Sequence, residues 1–329
     1  MGRVLGVLAA LAIVGPAVAQ PVGFQRVTIP GETSMNVGLW YPTADRMPPE
    51  PNTPFRQSLA LGGSIDGENL PLIVISHGDG GWMGSHAGTA LALARGGYAV
   101  AALEHLGNNS EDESRTPSEW VESRPADVVA LLDFLLEDWE GAETLDPERI
   151  GMFGFSAGGY TGLVAAGAEP DFRAGVSFCD DNDAEFVCRI GMVDGIADRK
   201  TPPDYAHDPR IKALSIAAPG FGFAFPDQSL AAVKFPVEIW SGALDDRVPH
   251  ATNGALLAEA LPNVKRVHVA DGAGHFAFLA PCNPRLEAAN PRIWQMVCVD
   301  AAGFDRAAFH EELNRAILGF FDENLGPPR

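Results

Sequence analysis

The stretch Arg149-Ile150-Gly151-Met152-Phe153-Gly154-Phe155-Ser156-Ala157-Gly158-Gly159-Tyr160-Thr161-Gly162-Leu163-Val164-Ala165-Ala166 decides the fold. Residues 149–155 read as a strand buried on both faces, and 157–166 as a helix of small residues. Between them stands the pattern Gly154-x-Ser156-x-Gly158. A sharp strand-to-helix turn at the serine strains its backbone and lifts the hydroxyl above the sheet. The positions two before and two after must be tiny, because side chains there would collide. The following helix aims its amino end at the serine, where developing negative charge is stabilised. A glycine-rich turn with an incidental serine is the competing reading, and the flanking strand and helix weigh against it. Ser156 is therefore the expected nucleophile.

Working outward, apolar strand-like runs alternate with helical stretches. Residues 25–29 and 36–41 look like an opening antiparallel pair, followed by a Pro/Gly-rich surface loop over 42–70. Strands are expected at 72–76 (LIVIS), 98–103, 149–155, 211–217, 237–240 and 266–269. Helices are expected at 87–95, 118–139, 157–166, 250–261 and 304–324. This alternation predicts an α/β fold with a mostly parallel, doubly wound sheet. No Gly/Pro/Ser linker divides it, so residues 20–329 read as one domain, with a cap-like excursion over about 169–210. Ligands bind at the carboxyl edge of such sheets.

An activated serine needs a base, and the base needs an orienting acid. In this architecture they follow in the order Ser, Asp or Glu, His. His275 in Gly272-Ala273-Gly274-His275 follows the last strand and is the expected base. Among the other histidines, His77 and His105 precede the nucleophile. His250, His268 and His310 fall in expected helix or strand, and His86 and His207 lie in connecting segments. Asp245 follows the preceding strand in a G-x-x-D-x-x-V-P frame and is the expected acid. Its neighbour Asp246 and the more distant Asp180 are rivals; Asp180 would qualify if 174–178 were a core strand.

The oxyanion hole should be formed by two backbone N–H groups. One belongs to Ala157, the residue after the serine; the other, from His77-Gly78-Asp79-Gly80-Gly81, is assigned to Asp79. A dinucleotide site at this loop fails, because Met83 stands where G-x-G-x-x-G needs glycine. Gly78 and Trp82 beside the loop, with Phe221, Phe223 and Phe276 beyond strand ends, are the expected lining of an apolar substrate pocket. Core packing is the default for such aromatics.

The chain has 329 residues, 23 basic and 43 acidic, for a formal net charge of −20. That charge argues against nucleic-acid and anionic-membrane partners. Arg3, the apolar run 4–14, Gly15-Pro16 and Ala17-Val18-Ala19 read as a signal peptide over 1–19, cleaved before Gln20. A membrane anchor is disfavoured because the run is shorter than the ~20 residues of a span. The protein is expected to be secreted or periplasmic. Export and proximity pair Cys179 with Cys188 and Cys282 with Cys298. The run Asp180-Asp181-Asn182-Asp183 lacks the glycine and terminal glutamate of a calcium loop. Neither metal nor cofactor is expected.

These residues resemble the α/β-hydrolase superfamily, most closely the predicted dienelactone hydrolase group related to platelet-activating-factor acetylhydrolases. The resemblance rests on SHGDGG at 76–81, LEH at 103–105, RPADV at 124–128, GFSAGG at 154–159, the G-x-x-D at 242–245, GAGHF at 272–276 and GFDRAAFH at 303–310. It implies an exported serine hydrolase acting on small-molecule carboxylic esters. True dienelactone hydrolases use cysteine where this chain has Ser156. A short-acyl phospholipid acetylhydrolase, a lactone hydrolase and a non-catalytic binding protein on the same fold are the alternatives. In the acetylhydrolases the acid follows an earlier strand, near Asp180.

Overall fold

The computed structural model describes residues 20–31, 34–198, 203–226 and 228–327. The expected signal peptide at 1–19 lies outside them. Nine strands form one sheet: β1 (Val22–Ile29), β2 (Met35–Pro42), β3 (Ala60–Leu61), β4 (Leu70–Ser76), β5 (Ala99–Leu103), β6 (Leu145–Phe155), β7 (Ile211–Ala217), β8 (Val237–Gly242) and β9 (Val264–Ala270). The helices are α1 (Ala87–Arg95), α2 (Pro117–Glu137), α3 (Ala157–Ala165), α4 (Phe172–Asp181), α5 (Phe186–Arg189), α6 (Met192–Ala197), α7 (Gly254–Ala260), α8 (Arg285–Ala289), α9 (Pro291–Val297) and α10 (Arg306–Leu325). Strand order is β3-β1-β2-β5-β4-β6-β7-β8-β9. The β1–β2 and β2–β5 pairs are antiparallel, and every pair from β5 to β9 is parallel.

The LIVIS run shows why the sheet is covered twice. Leu72 and Val74 pack with Leu131, Leu135 and Leu163 of α2 and α3, whereas Ile73 and Ile75 pack with Leu93, Leu313 and Phe321 of α1 and α10. Alternating side chains of a strand enter opposite faces, so a continuous apolar run requires two helical layers. At about 25 cal/mol per Å² of apolar surface removed from water, these layers supply the dominant stabilising term.

Helix α2 starts at a capping arrangement in which the Glu119 carboxylate accepts the Thr116 N–H at 2.7 Å. It continues through Pro125, which has no N–H for the carbonyl of Val121. The Tyr160 hydroxyl of α3 donates to that carbonyl at 3.1 Å, so the break in the ladder becomes a bond between helices.

The structure shifts some expected boundaries. The helix expected at 250–261 is a 3₁₀ turn (His250–Thr252) and then α7. Asn253 interrupts it: its side chain accepts the Gly222 N–H at 3.0 Å and donates to the Pro249 carbonyl at 3.2 Å. Residues 174–178 are helical within α4. The chain between α3 and β7 carries α4, α5 and α6, and Cys179–Cys188 bridges the first two. Cys282–Cys298 joins the segments around α8 and α9. Among the described residues, no helix is long and apolar enough to cross a membrane.

In the chain-entropy account, each bridge contributes about 2.5–3 kcal/mol. Cys179→Ser/Cys188→Ser should therefore lower the urea midpoint of unfolding with little change in far-UV circular dichroism. A double variant as stable as the parent would show that α4 and α5 are held by packing alone.

Candidate active site

Four loops converge at the carboxyl edge of the parallel strands: those after β4, β6, β8 and β9. Ser156, the residue between β6 and α3, has φ +54° and ψ −119°. Its N–H donates to the carbonyl of Ala217 at 3.0 Å, fixing the turn to β7. Left-handed φ in a non-glycine residue costs about 1–3 kcal/mol and persists only where the surroundings enforce it. Two glycines allow that enforcement. A Cβ on Gly154 would lie 2.3 Å from the Gly158 carbonyl oxygen, and one on Gly158 would lie 2.0 Å from that of Ser76.

The structure brings Ser156, His275 and Asp245 into one line. His275 Nε2 lies 3.1 Å from Ser156 Oγ, and Nδ1 lies 2.8 Å from Asp245 Oδ2. The Asp245 side chain is wholly buried, and its Oδ1 accepts the N–H groups of Arg247 and Val248, each at 2.9 Å. Those two bonds fix the carboxylate's orientation before it meets the imidazole. Asp246 is exposed, and Asp180 is exposed on α4. The His275 ring packs 4.9 Å from Phe155, the residue preceding the serine, and 5.2 Å from Phe276. His310 Nε2 donates to the Ala277 carbonyl at 2.9 Å, bracing the His275 turn from α10.

The other histidines have different surroundings. His250 meets Ser241 Oγ at 2.9 Å, and His268 stacks on Trp240 while pairing with the buried Glu238 at 3.3 Å. His207 lies 3.5 Å from Glu169. His86 packs between Phe153 and Phe155, and burial pushes it down to about 3.

At the β4 loop, Gly78 lies against Ser156: a Cβ there would sit 3.3 Å from the serine Cβ. The 78–81 turn closes with Gly81 N–H donating to the Gly78 carbonyl at 3.1 Å. The Asp79 carboxylate accepts from Asn108 Nδ2 at 2.6 Å. Gly220, which the sequence reading did not single out, donates its N–H to the Ser156 carbonyl at 3.1 Å.

Three of the expected pocket residues pack against rings of other segments. Trp82 packs against Phe55, which joins Phe24 and Trp40 on the β1–β2 side of the sheet. Phe221 is 3% exposed and surrounded by Trp120, Tyr160, Phe172 and Phe223, so its ring fills the interior. Phe223 stacks face to face on Phe178 of α4 at 4.2 Å. Aromatics a few residues past a strand end can turn back into the helical layer, and for Phe221 and Phe223 the rings that receive them come from α3 and α4. Phe276 alone among the rings expected there touches His275. The Arg247 guanidinium stands 5.7 Å from the Phe276 ring and 4.1 Å from Phe186 of α5.

Behind the β4 loop lies a buried polar network that sequence reasoning missed. Arg124, fully buried on α2, donates to the His77 carbonyl, to Asn108 Oδ1 at 2.5 Å and to Thr161 Oγ1 at 3.0 Å. His105 meets Asp127 at 3.0 Å. Burial, and then the Arg124 charge, hold His77 and His105 well below the usual histidine range. Burial pushes the Asp127 carboxyl up to about 7 and the Arg124 guanidinium down to about 10, which leaves the guanidinium charged at neutral pH. One signal was present: Arg124 and Asp127 interrupt the apolar stripe of α2 formed by Trp120, Val121, Val128 and Leu131.

No family model matches the chain. It is 36% identical over 116 residues to NocK, an inferred esterase of Nocardia uniformis subsp. tsuyamanensis, covering 33% of this chain and 32% of that protein. It is 26% identical over 155 residues to the platelet-activating factor acetylhydrolase of Canis lupus familiaris, covering 34% and 35% respectively. The chain thus spans about a third of the length of these curated relatives. A ferulic acid esterase structure from Streptomyces cinnamoneus superposes with a TM-score of 0.62 at 18% identity, over 96% of this chain and 94% of that one. The fold is the α/β-hydrolase fold. None of these three proteins is named as a dienelactone hydrolase.

The elbow's packing yields a direct test. Gly158→Ala must push the β4 end away, and overpacking of this kind costs about 1–3 kcal/mol. Gly195→Ala, at an exposed position of α6 with open space around it, should instead stabilise by about 0.5–1 kcal/mol. Thermal denaturation of both should give shifts of opposite sign.

Proposed function

We propose that this chain is a serine-dependent carboxylic ester hydrolase with Ser156 as nucleophile, His275 as base and Asp245 as orienting acid. The observation that carries the reading is the line Ser156 Oγ–His275 Nε2–His275 Nδ1–Asp245 Oδ2, with separations of 3.1 and 2.8 Å across three different loops. Three side chains meeting at hydrogen-bond distance on one edge, with the serine in strained backbone, is the arrangement acyl transfer requires. The esterase and acetylhydrolase relatives support an ester substrate.

In the proposed reaction, Ser156 Oγ attacks the ester carbonyl as His275 Nε2 takes its proton. Asp245 stabilises the imidazolium and keeps the ring in the tautomer that presents a bare Nε2. The N–H groups of Asp79 and Ala157 receive the carbonyl oxygen as it becomes negative. His275 returns the proton to the leaving alcohol, giving an acyl-serine. Water, activated by the same nitrogen, then releases the acid and restores Ser156. No step calls on a metal or cofactor. Short acyl chains on phospholipid are a second reading, favoured by the acetylhydrolase relative; a panel of acyl lengths and leaving groups separates the two. We also read the protein as exported, a reading the two disulfides support.

Ser156→Ala should abolish hydrolysis of p-nitrophenyl acetate and labelling by a fluorophosphonate probe, with melting unchanged. Labelling that survives the substitution would refute the nucleophile. Asp245→Asn should lower kcat roughly 10⁴-fold, because the imidazole loses its working tautomer. Asp246→Asn and Asp180→Asn should leave it within about twofold, as expected of exposed carboxylates. A crippled Asp180→Asn enzyme would overturn the acid assignment.

The sign of the pH dependence also follows. The base must be unprotonated to accept the serine proton, so kcat/KM should fall on acidification as His275 gains a proton. A kcat/KM that does not fall on acidification of the folded protein would contradict this base.

A further inference from the structure

Beneath the β4 loop, Ser76 Oγ lies 2.8 Å from His105 Nε2, and His105 Nδ1 lies 3.0 Å from Asp127 Oδ2. The spacing imitates a serine, histidine and carboxylate relay. Ser76 and His105 are 0% exposed, however, so no substrate reaches this hydroxyl. The group that organises the cluster is Arg124, itself 0% exposed, and its contacts run in two directions.

One arm reaches the β4 loop. Nη2 donates to the His77 carbonyl and lies 3.3 Å from Ser76 Oγ; Nη1 donates to Asn108 Oδ1, and the amide of Asn108 holds the Asp79 carboxylate at 2.6 Å. The other arm reaches α3. Nε donates to Thr161 Oγ1 at 3.0 Å, and that hydroxyl donates to the Ala157 carbonyl at 2.8 Å. The two arms therefore end on the two residues whose N–H groups are assigned to the oxyanion. A planar guanidinium has five donors in fixed directions, so it sets the distance between what it binds.

We propose that Arg124, acting through Asn108 and Thr161, is a positioning residue that sets the spacing between the Asp79 and Ala157 N–H groups. The proposal rests on the ester-hydrolase reading above. An oxyanion hole is effective only if its donors stand where the transition-state oxygen will be, and substrate binding depends far less on that placement. Weakening the clamp should thus lower kcat and leave KM nearly intact.

Asn108→Ala and Thr161→Val each cut one arm and leave the Arg124 charge in place. For p-nitrophenyl acetate, each should lower kcat about ten- to a hundredfold, just below the range for losing an oxyanion donor outright. KM should stay within about twofold. The Ki of a trifluoromethyl ketone, which forms a tetrahedral oxyanion on the serine, should rise by the same factor as kcat falls. The inflection of the pH profile should not move, because the His275–Asp245 contact is untouched. Arg124→Lys should fail to rescue Arg124→Gln, since a point charge lacks the fork. Unchanged kcat in both arm variants would overturn the proposal. So would a fall in kcat without weaker ketone binding, a shifted pH inflection, or unfolding of both arm variants. A wild-type protein that neither cleaves the ester nor binds the ketone would instead sink the ester-hydrolase reading.

Discussion

Helix α3 begins where it does because two glycines let backbone meet backbone. Gly158 lies so close to the end of β4 that a methyl group would overlap the Ser76 carbonyl, and Gly154 lies nearly as close to Gly158. That approach forces Ser156 into left-handed backbone and points the axis of α3 at the sheet edge. The loops after β4, β8 and β9 are then arranged around a fixed point. Phe155 enters the α1–α10 layer and supports the His275 ring, while the strand and helix on either side anchor the turn. The strain is local, and the burial of two helical layers far exceeds it.

A second constraint lies behind the first. The β4 loop carries little apolar surface of its own, so hydrophobic packing cannot define its shape. Buried polar bonds do so instead, and they concentrate on Arg124. Taking a guanidinium out of water is costly unless its donors are satisfied. Here they meet a backbone carbonyl, an amide and a hydroxyl, so the loop is held by directional contacts that allow little adjustment. Glu238 does comparable work at the far end of the sheet, where Ser215, His268 and Arg266 surround it across β7, β8 and β9. The histidine turn of the proposed site is braced by His310 from α10.

Much of this was legible in the residues. LIVIS at 72–76 has to be a strand covered on both sides, and G-x-S-x-G between a strand and a helix has to be a sharp elbow, because both follow from local periodicity and steric limits. The candidates Ser156, Asp245 and His275 were chosen from strand ends and chain order. The pairings Cys179–Cys188 and Cys282–Cys298 followed from proximity in the chain. The ring partners of the aromatics were not legible. Trp82, Phe221 and Phe223 each had a strand end and an apolar ring to recommend them, and each is received by rings on elements distant in sequence. Arg124 stood in the RPADV segment that carries the resemblance, but its buried partners Asn108 and Thr161 lie too far along the chain to be read from it.

The sequence by itself determined the alternation of strands and helices, the elbow, and which residue types stand at the strand ends. Those features depend on neighbours within a turn or two of chain. Tertiary structure alone decided which carboxylate meets His275, which aromatics fill the interior, and where a buried guanidinium finds its partners. Asp245 and His275 are 30 residues apart, His275 and Ser156 119, and Arg124 and Thr161 37. Contacts over such separations are fixed by strand order and helix layering, which bring distant segments within hydrogen-bond reach only once the sheet has formed.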